Sequence, residues 1–135
     1  MHDTSERPAD SVNVLFVDDE TAFVAAVARR LSRLGIAVVA ALGGDDALRV
    51  LAEKADIDVV VLDIRMPGMD GLQILLEIKR LHRSMPVIIL TGHGTVESAI
   101  KGMKLGAFDY LTKPCELETL VRRIRQAAGQ LEAGS

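Results

Sequence analysis

Three aspartates and a lysine at the ends of apolar runs could together hold a divalent cation and a phosphoryl group. Asp63 closes the run Val59-Val60-Val61-Leu62 and is followed by Ile64-Arg65-Met66-Pro67-Gly68-Met69-Asp70-Gly71. Asp18 and Asp19 close a second run, Val14-Leu15-Phe16-Val17, and Lys113 follows a third. A carboxylate at the end of a fully apolar strand has water on one side and a packed sheet behind it. Carboxylates within a few ångströms of one another repel and raise each other's pKa; a divalent cation removes that cost. Hard oxygen ligands without a Cys/His cluster favour Mg2+ over zinc. Mg2+ retains several waters and takes few protein ligands, which leaves a position for a phosphate oxygen. Lys113 would bring a point charge to a second oxygen, and Thr91 a hydroxyl donor to a third. A carboxylate can attack phosphorus to give an aspartyl phosphate, with catalysis resting on positioning and electrostatics.

The elements that must position these groups can be read from hydrophobic periodicity. Apolar runs at Val12–Val17, Ile36–Ala41, Ile57–Leu62, Val87–Leu90 and Ala107–Leu111 are rich in Val, Ile and Leu. They mostly lack polar alternation, as strands buried on both faces do. Between and after them, apolar residues recur at helical spacing. The stripes are Phe23, Val27, Leu31 and Leu34; Leu48, Leu51, Ala52 and Ala55; Ile74, Leu75, Ile78 and Leu81; Val96, Ala99, Ile100 and Met103; and Leu117, Leu120, Val121, Ile124 and Ala128. Each reads as the core-facing side of a helix. Gly35 and Gly106 stand where helix ends take a left-handed residue.

Strands alternating with helices predict an α/β fold with a parallel, doubly wound sheet and right-handed crossovers. In the flavodoxin-like order 2-1-3-4-5, a general pattern for five strands, strands 1 and 3 lie side by side where the order reverses. Ligands bind there, beyond the carboxyl ends. Asp18 and Asp19 at the end of strand 1, Asp63 at the end of strand 3, Thr91 after strand 4 and Lys113 after strand 5 are then expected to line one crevice.

Composition narrows the class. A chain of 135 residues, 49% hydrophobic, suits one domain with a sizeable core. Net charge is −3, so there is no electrostatic footprint for nucleic acid. One cysteine rules out an internal disulfide and fits a reducing compartment. No apolar run approaches the roughly 20 residues that span a bilayer. Met1 to Ser11 lacks the apolar core of a signal peptide. A soluble, cytoplasmic protein without membrane contact is expected.

Taken together, four separated elements resemble the response-regulator receiver domain of two-component signalling. They are the pair Asp18-Asp19, the stretch from Asp63 to Gly71, Thr91-Gly92, and Phe108-Asp109-Tyr110-Leu111-Thr112-Lys113-Pro114. The resemblance spans roughly Val12 to Ala128. It implies a domain over 12–130, with a flexible tail at 1–11 and a short tail at 131–135. It implies that Asp63 accepts a phosphoryl group from a sensor histidine kinase or phosphotransfer protein. Mg2+ would be bound by Asp19 and Asp63, by Asp18 largely through water, and by the backbone carbonyl of Arg65. Thr91 and Lys113 would hold phosphoryl oxygens. Thr91 and Tyr110 would act as the switch, reshaping the face made by the fourth helix, fifth strand and fifth helix, through which such domains can dimerise. A cis peptide is expected at Lys113–Pro114, which proline alone makes accessible. The Thr91-Gly92-His93-Gly94 and Gly106-Ala107-Phe108-Asp109-Tyr110 segments are similar to receivers that precede transcription-activating ATPase or helix-turn-helix domains.

Plainer readings exist for each residue singly. Asp18, Asp19 and Asp63 could cap helices, Thr91 could cap a turn, and Tyr110 could simply pack on the sheet. Met66-Pro67-Gly68 is mechanically a turn. Arg65 and His93 occupy positions expected to tune phosphoryl lifetime. His2 and His82 lack partners at ligand spacing, and Cys115 reads as a small packing residue. Among rival functions, a Mg2+ phosphohydrolase would place Asp-x-Asp after the first strand, whereas this chain has Asp18-Asp19-Glu20-Thr21. A nucleotide-binding flavodoxin-like protein would need a glycine- or hydroxyl-rich loop there. A receiver-like module that never takes phosphate would not need the acid, threonine and lysine set.

Overall fold

The computed structural model describes residues 11–66 and 68–131, apart from the side chain of Met69. Of the expected tails at 1–11 and 131–135, residues 1–10, with His2, and 132–135 lie outside the described residues, as does Pro67 in the Met66-Pro67-Gly68 turn. In chain order the elements are β1 (Val12–Val17), α1 (Thr21–Ser32), β2 (Ile36–Ala41), α2 (Gly44–Glu53), β3 (Val59–Leu62), β4 (Arg65–Met66), β5 (Met69–Asp70), α3 (Gly71–Leu81), β6 (Val87–Thr91), α4 (Val96–Lys104), β7 (Asp109–Thr112) and α5 (Leu117–Ala127). Five strands form one parallel sheet in the order β2-β1-β3-β6-β7. Counting only these five, the order is the expected 2-1-3-4-5. β4 and β5 form a separate antiparallel ladder of two residues each, in a stretch the sequence reads as a turn.

The apolar runs become strands because their side chains can be buried on both faces. Every residue of β3 and β6 is buried, whereas the edge strands β2 and β7 are partly open. Alternate residues feed two cores. Leu15, Val17, Val60, Leu62 and Ile89 pack with α2 and α3 through Ala47, Val50, Leu51, Leu75 and Ile78. Val14, Phe16, Val59, Val61, Ile88 and Leu90 pack with α1 and α5 through Val24, Leu31, Leu120 and Ile124. Gly35 and Gly106 both have positive φ, as their places at helix ends require.

Four of the expected helix stripes are trimmed or displaced. Leu34 lies beyond the end of α1, Leu81 is the last residue of α3, and both are exposed. Ala52 and Ala55 are exposed because α2 ends at Glu53 and turns Ala47, Val50 and Leu51 to the core. The fourth stripe differs most. Val96, Ile100 and Met103 are 79%, 52% and 46% exposed, so this stripe does not face the core. The one buried residue of α4 is Gly102. A Cβ there would come within 2.6 Å of Ile89 Cδ1. The helix approaches the sheet on its side-chain-free edge, and its apolar row is left outward.

Candidate functional site

The site forms at the carboxyl ends of β1, β3, β6 and β7. Val17 is in register with Leu62, so Asp18 and Asp63 leave adjacent strands side by side. The Asp63 N–H donates to the Val17 carbonyl at 2.9 Å, and the Asp18 N–H to the Ala41 carbonyl at 3.0 Å. These bonds hold both carboxyl groups at the rim. Asp18 has 0% exposure and Asp63 3%.

Lys113 closes the crevice from β7. Its Nζ donates to Asp18 Oδ2 at 2.9 Å, to Glu20 Oε1 at 2.6 Å and, at the limit of a hydrogen bond, to Asp63 Oδ2 at 3.5 Å. The Lys113 N–H donates to the Thr91 carbonyl at 2.9 Å, which ties the lysine to the end of β6. The ammonium also stands 4.4 Å from the centre of the Phe23 ring, a favourable placement for a cation. Phe23 in turn meets Phe16 edge-on at 6.1 Å. The Lys113–Pro114 peptide is cis.

Electrostatics follow from this packing. Burial pushes the Asp18 carboxyl above the usual carboxylate range, and the hydrogen bonds from Lys113 and from the Glu20 amide only partly offset it. Burial disfavours the Lys113 ammonium, but hydrogen bonds to Glu20 and Asp18, with the charges of Asp18 and Asp63, outweigh it and raise its pKa above the ordinary lysine value. The lysine is therefore a permanent cation at physiological pH.

Asp63 has its two oxygens in different surroundings. Oδ1 accepts from the Arg65 N–H at 3.0 Å, and Oδ2 faces Lys113. Gly71 makes the tight return after this loop possible, since a Cβ there would collide with backbone atoms of Ile64. Asp70 caps α3, its Oδ1 accepting from the Leu72 N–H at 3.1 Å. Thr91 is the last residue of β6 and fully buried; its Oγ1 accepts from the His93 N–H at 3.3 Å. Tyr110 Oη is 2.7 Å from Ser98 Oγ on α4. Its ring sits where a Cβ on Gly94 would collide with the hydroxyl.

Among the described residues, the acids whose oxygens gather for a cation are Asp18, Glu20 and Asp63, all within 4.8 Å of one another. Hard oxygens, with no histidine or cysteine in the group, fit Mg2+ or another hard divalent cation. Asp19, which the sequence reading assigns as a direct ligand, is exposed and outside this group. Glu20 stands in the group instead, its Oε1 against Lys113 Nζ, and the sequence reading passed over it. His93 is exposed and His82 half-buried, both outside the acidic group. Cys115 is half-buried; burial and the Glu116 charge raise its pKa, which disfavours the reactive thiolate.

Comparison with known proteins agrees with this geometry. The family profile of the response regulator receiver domain matches residues 14–125. Transcriptional regulatory protein GlrR of Escherichia coli is 39% identical over 126 residues, covering 93% of this chain and 28% of that protein. The chain thus spans about a quarter of the length of this curated relative. A receiver domain from Clostridium thermocellum superposes with a TM-score of 0.82 at 39% identity, over 88% of this chain and 95% of that one. A response regulator from Burkholderia pseudomallei, solved with a phosphorylated aspartic acid, a calcium ion and citrate, superposes with a TM-score of 0.79 at 28% identity, over 91% of this chain and 72% of that one. The sheet order, the acidic crevice with its lysine and the match over residues 14–125 lead to one conclusion: this chain belongs to the response-regulator receiver family.

Proposed function

We propose that Asp63 accepts a phosphoryl group from a sensor histidine kinase or phosphotransfer protein and that the change is passed to the face made by α4, β7 and α5. The observation that carries this reading is the reach of Lys113, across 95 residues of chain to Asp18 and 50 to Asp63. Such an arrangement gathers an acceptor carboxylate and a neutralising ammonium in one crevice.

In this reading Asp63 Oδ2 attacks phosphorus while the bond to the donor's leaving group breaks. The Arg65 N–H holds Oδ1 and so orients the nucleophile. Lys113 takes one phosphoryl oxygen. The Thr91 hydroxyl accepts from His93 N–H, which leaves its proton available for another. Asp63, Asp19, Asp18 and the Arg65 carbonyl would hold Mg2+, which would supply positive charge against the phosphoryl group. The Burkholderia regulator, whose structure holds both a phosphorylated aspartic acid and a calcium ion, supports this assignment. Thr91 and Tyr110 carry the change outward. Chemistry is limited to self-catalysed uptake and loss of the group, and the setting is cytoplasmic. The output is an effector domain or partner engaged through α4, β7 and α5, or a homodimer through that face. Transcription regulation is the output in keeping with GlrR.

Beryllofluoride, a phosphoryl mimic, tests this. Wild-type protein should show a Mg2+-dependent change in fluorescence of Tyr110, the one tyrosine of the chain, and Asp63→Asn should show none. An equal response from Asp63→Asn would overturn the assignment.

A further inference from the structure

We infer that Glu20 is a positioning residue for Lys113, drawing its ammonium away from Asp63 and limiting how strongly the unmodified site attracts an incoming anion. Glu20 stands at the N-cap of α1, yet its side chain makes no capping bond to the helix. Its Oε1 lies 2.6 Å from Lys113 Nζ, nearer than the carboxylate of Asp18 at 2.9 Å or Asp63 at 3.5 Å. The backbone of Glu20 is fixed separately, its N–H donating to Asp18 Oδ1 at 2.9 Å. Glu20 is thus anchored by its amide and spends its carboxylate on the lysine.

The exposures set the hierarchy. The Lys113 side chain is 13% exposed and that of Asp18 fully buried, so this pair is held by packing. The Glu20 side chain is 61% exposed, so its hold is screened by water and can be exchanged at low cost. Phe23 backs the ammonium from another side. With these anchors, the ammonium divides its charge between Glu20 and the oxygen that is to receive phosphorus. A phosphoryl group on Asp63, bringing about two negative charges, would outcompete a single exposed carboxylate. Glu20 therefore acts as an exchangeable counter-ion that favours the empty state.

This inference rests on the phosphoacceptor reading, and the experiment separates the two. Beryllofluoride is titrated at saturating Mg2+ into wild type, Glu20→Gln, Glu20→Ala and Lys113→Met, and into the Glu20→Ala, Lys113→Met double variant, with Tyr110 fluorescence as readout. Since Glu20 makes no capping bond, neither substitution removes one. Both single Glu20 variants should bind about two- to fivefold more tightly, the size expected for a pair with one exposed partner. That gain should vanish in the Lys113→Met background, which a direct charge effect or a general change in stability would not produce. Unchanged or weaker affinity in both Glu20 variants, or an equal gain without the lysine, overturns the positioning role while leaving Asp63 as acceptor. A response in Asp63→Asn would instead overturn the acceptor assignment.

Discussion

Lys113 Nζ lies 2.9 Å from Asp18 Oδ2, which joins the end of the last sheet strand to the end of the first around a fully buried carboxylate. Removing one partner of a buried pair costs more than the pair contributes, because the remaining charge is stranded. Lys113→Met should therefore lower stability by about 3 kcal/mol at neutral pH. Mg2+ should recover part of the loss by binding the stranded carboxylates. Urea unfolding with and without Mg2+ checks both statements.

The same pair predicts a pH dependence. Lys113 has a folded pKa raised above its ordinary 10.5, so its stabilising contribution is complete below that pH and is lost as pH rises through the folded value. Asp18 has the opposite sense. Its carboxyl is raised above 3.8, chiefly by burial, so its ionised form costs stability above the folded pKa, and that cost is relieved as pH falls towards 3.8. Wild type should lose stability above about pH 10.5 more steeply than Lys113→Met. Parallel curves from urea midpoints at pH 9 to 11.5 would contradict the pairing.

Gly71 and Ile64 form the tightest backbone approach near the site, and the atoms a Cβ would meet at Gly71 are backbone. Neither side can yield by a side-chain rotation. Gly71→Ala should lower stability by roughly 1–3 kcal/mol and shift the loop that sets the Arg65 amide on Asp63. Thermal unfolding reports the first effect and the beryllofluoride titration the second.

Tyr110 and α4 are coupled through the hydroxyl of Ser98, which also belongs to the capping box with Thr95. Ser98→Ala should cost about 1 kcal/mol. Gly94→Ala should displace the Tyr110 hydroxyl, because the new methyl group occupies its place. Tyr110 fluorescence before any phosphoryl mimic is added should change in both variants. By contrast, the outward apolar row of α4 contributes little to the fold. Ile100→Ser should alter stability by no more than about 0.5 kcal/mol, whereas Ile89→Ala, at a fully buried position, should cost roughly 2–5 kcal/mol.

Much of this was legible in the sequence, for physical reasons. Strands buried on both faces need unbroken apolar runs, so β1, β3 and β6 were visible with the acids that end them. Convergence of Asp18, Asp63 and Lys113 then followed from the sheet order. The fourth helix was misread because a 3.6-residue period does not say which side of a helix meets the sheet. Gly102, with no side chain to count in any stripe, decided it. Glu20 was missed because adjacent residues in a loop can point either way. The turn in which its N–H donates to Asp18 Oδ1, not its type, sets it rather than Asp19 against Lys113.

The most direct test of the account is the intact mass of the protein after incubation with Mg2+ and a small phosphodonor such as acetyl phosphate. Wild type should gain one phosphoryl group in an acid-stable, base-labile linkage that maps to Asp63, and Asp63→Asn should gain none. A phosphoryl group on the Asp63→Asn protein, or mapped in wild type to any other residue, would contradict it.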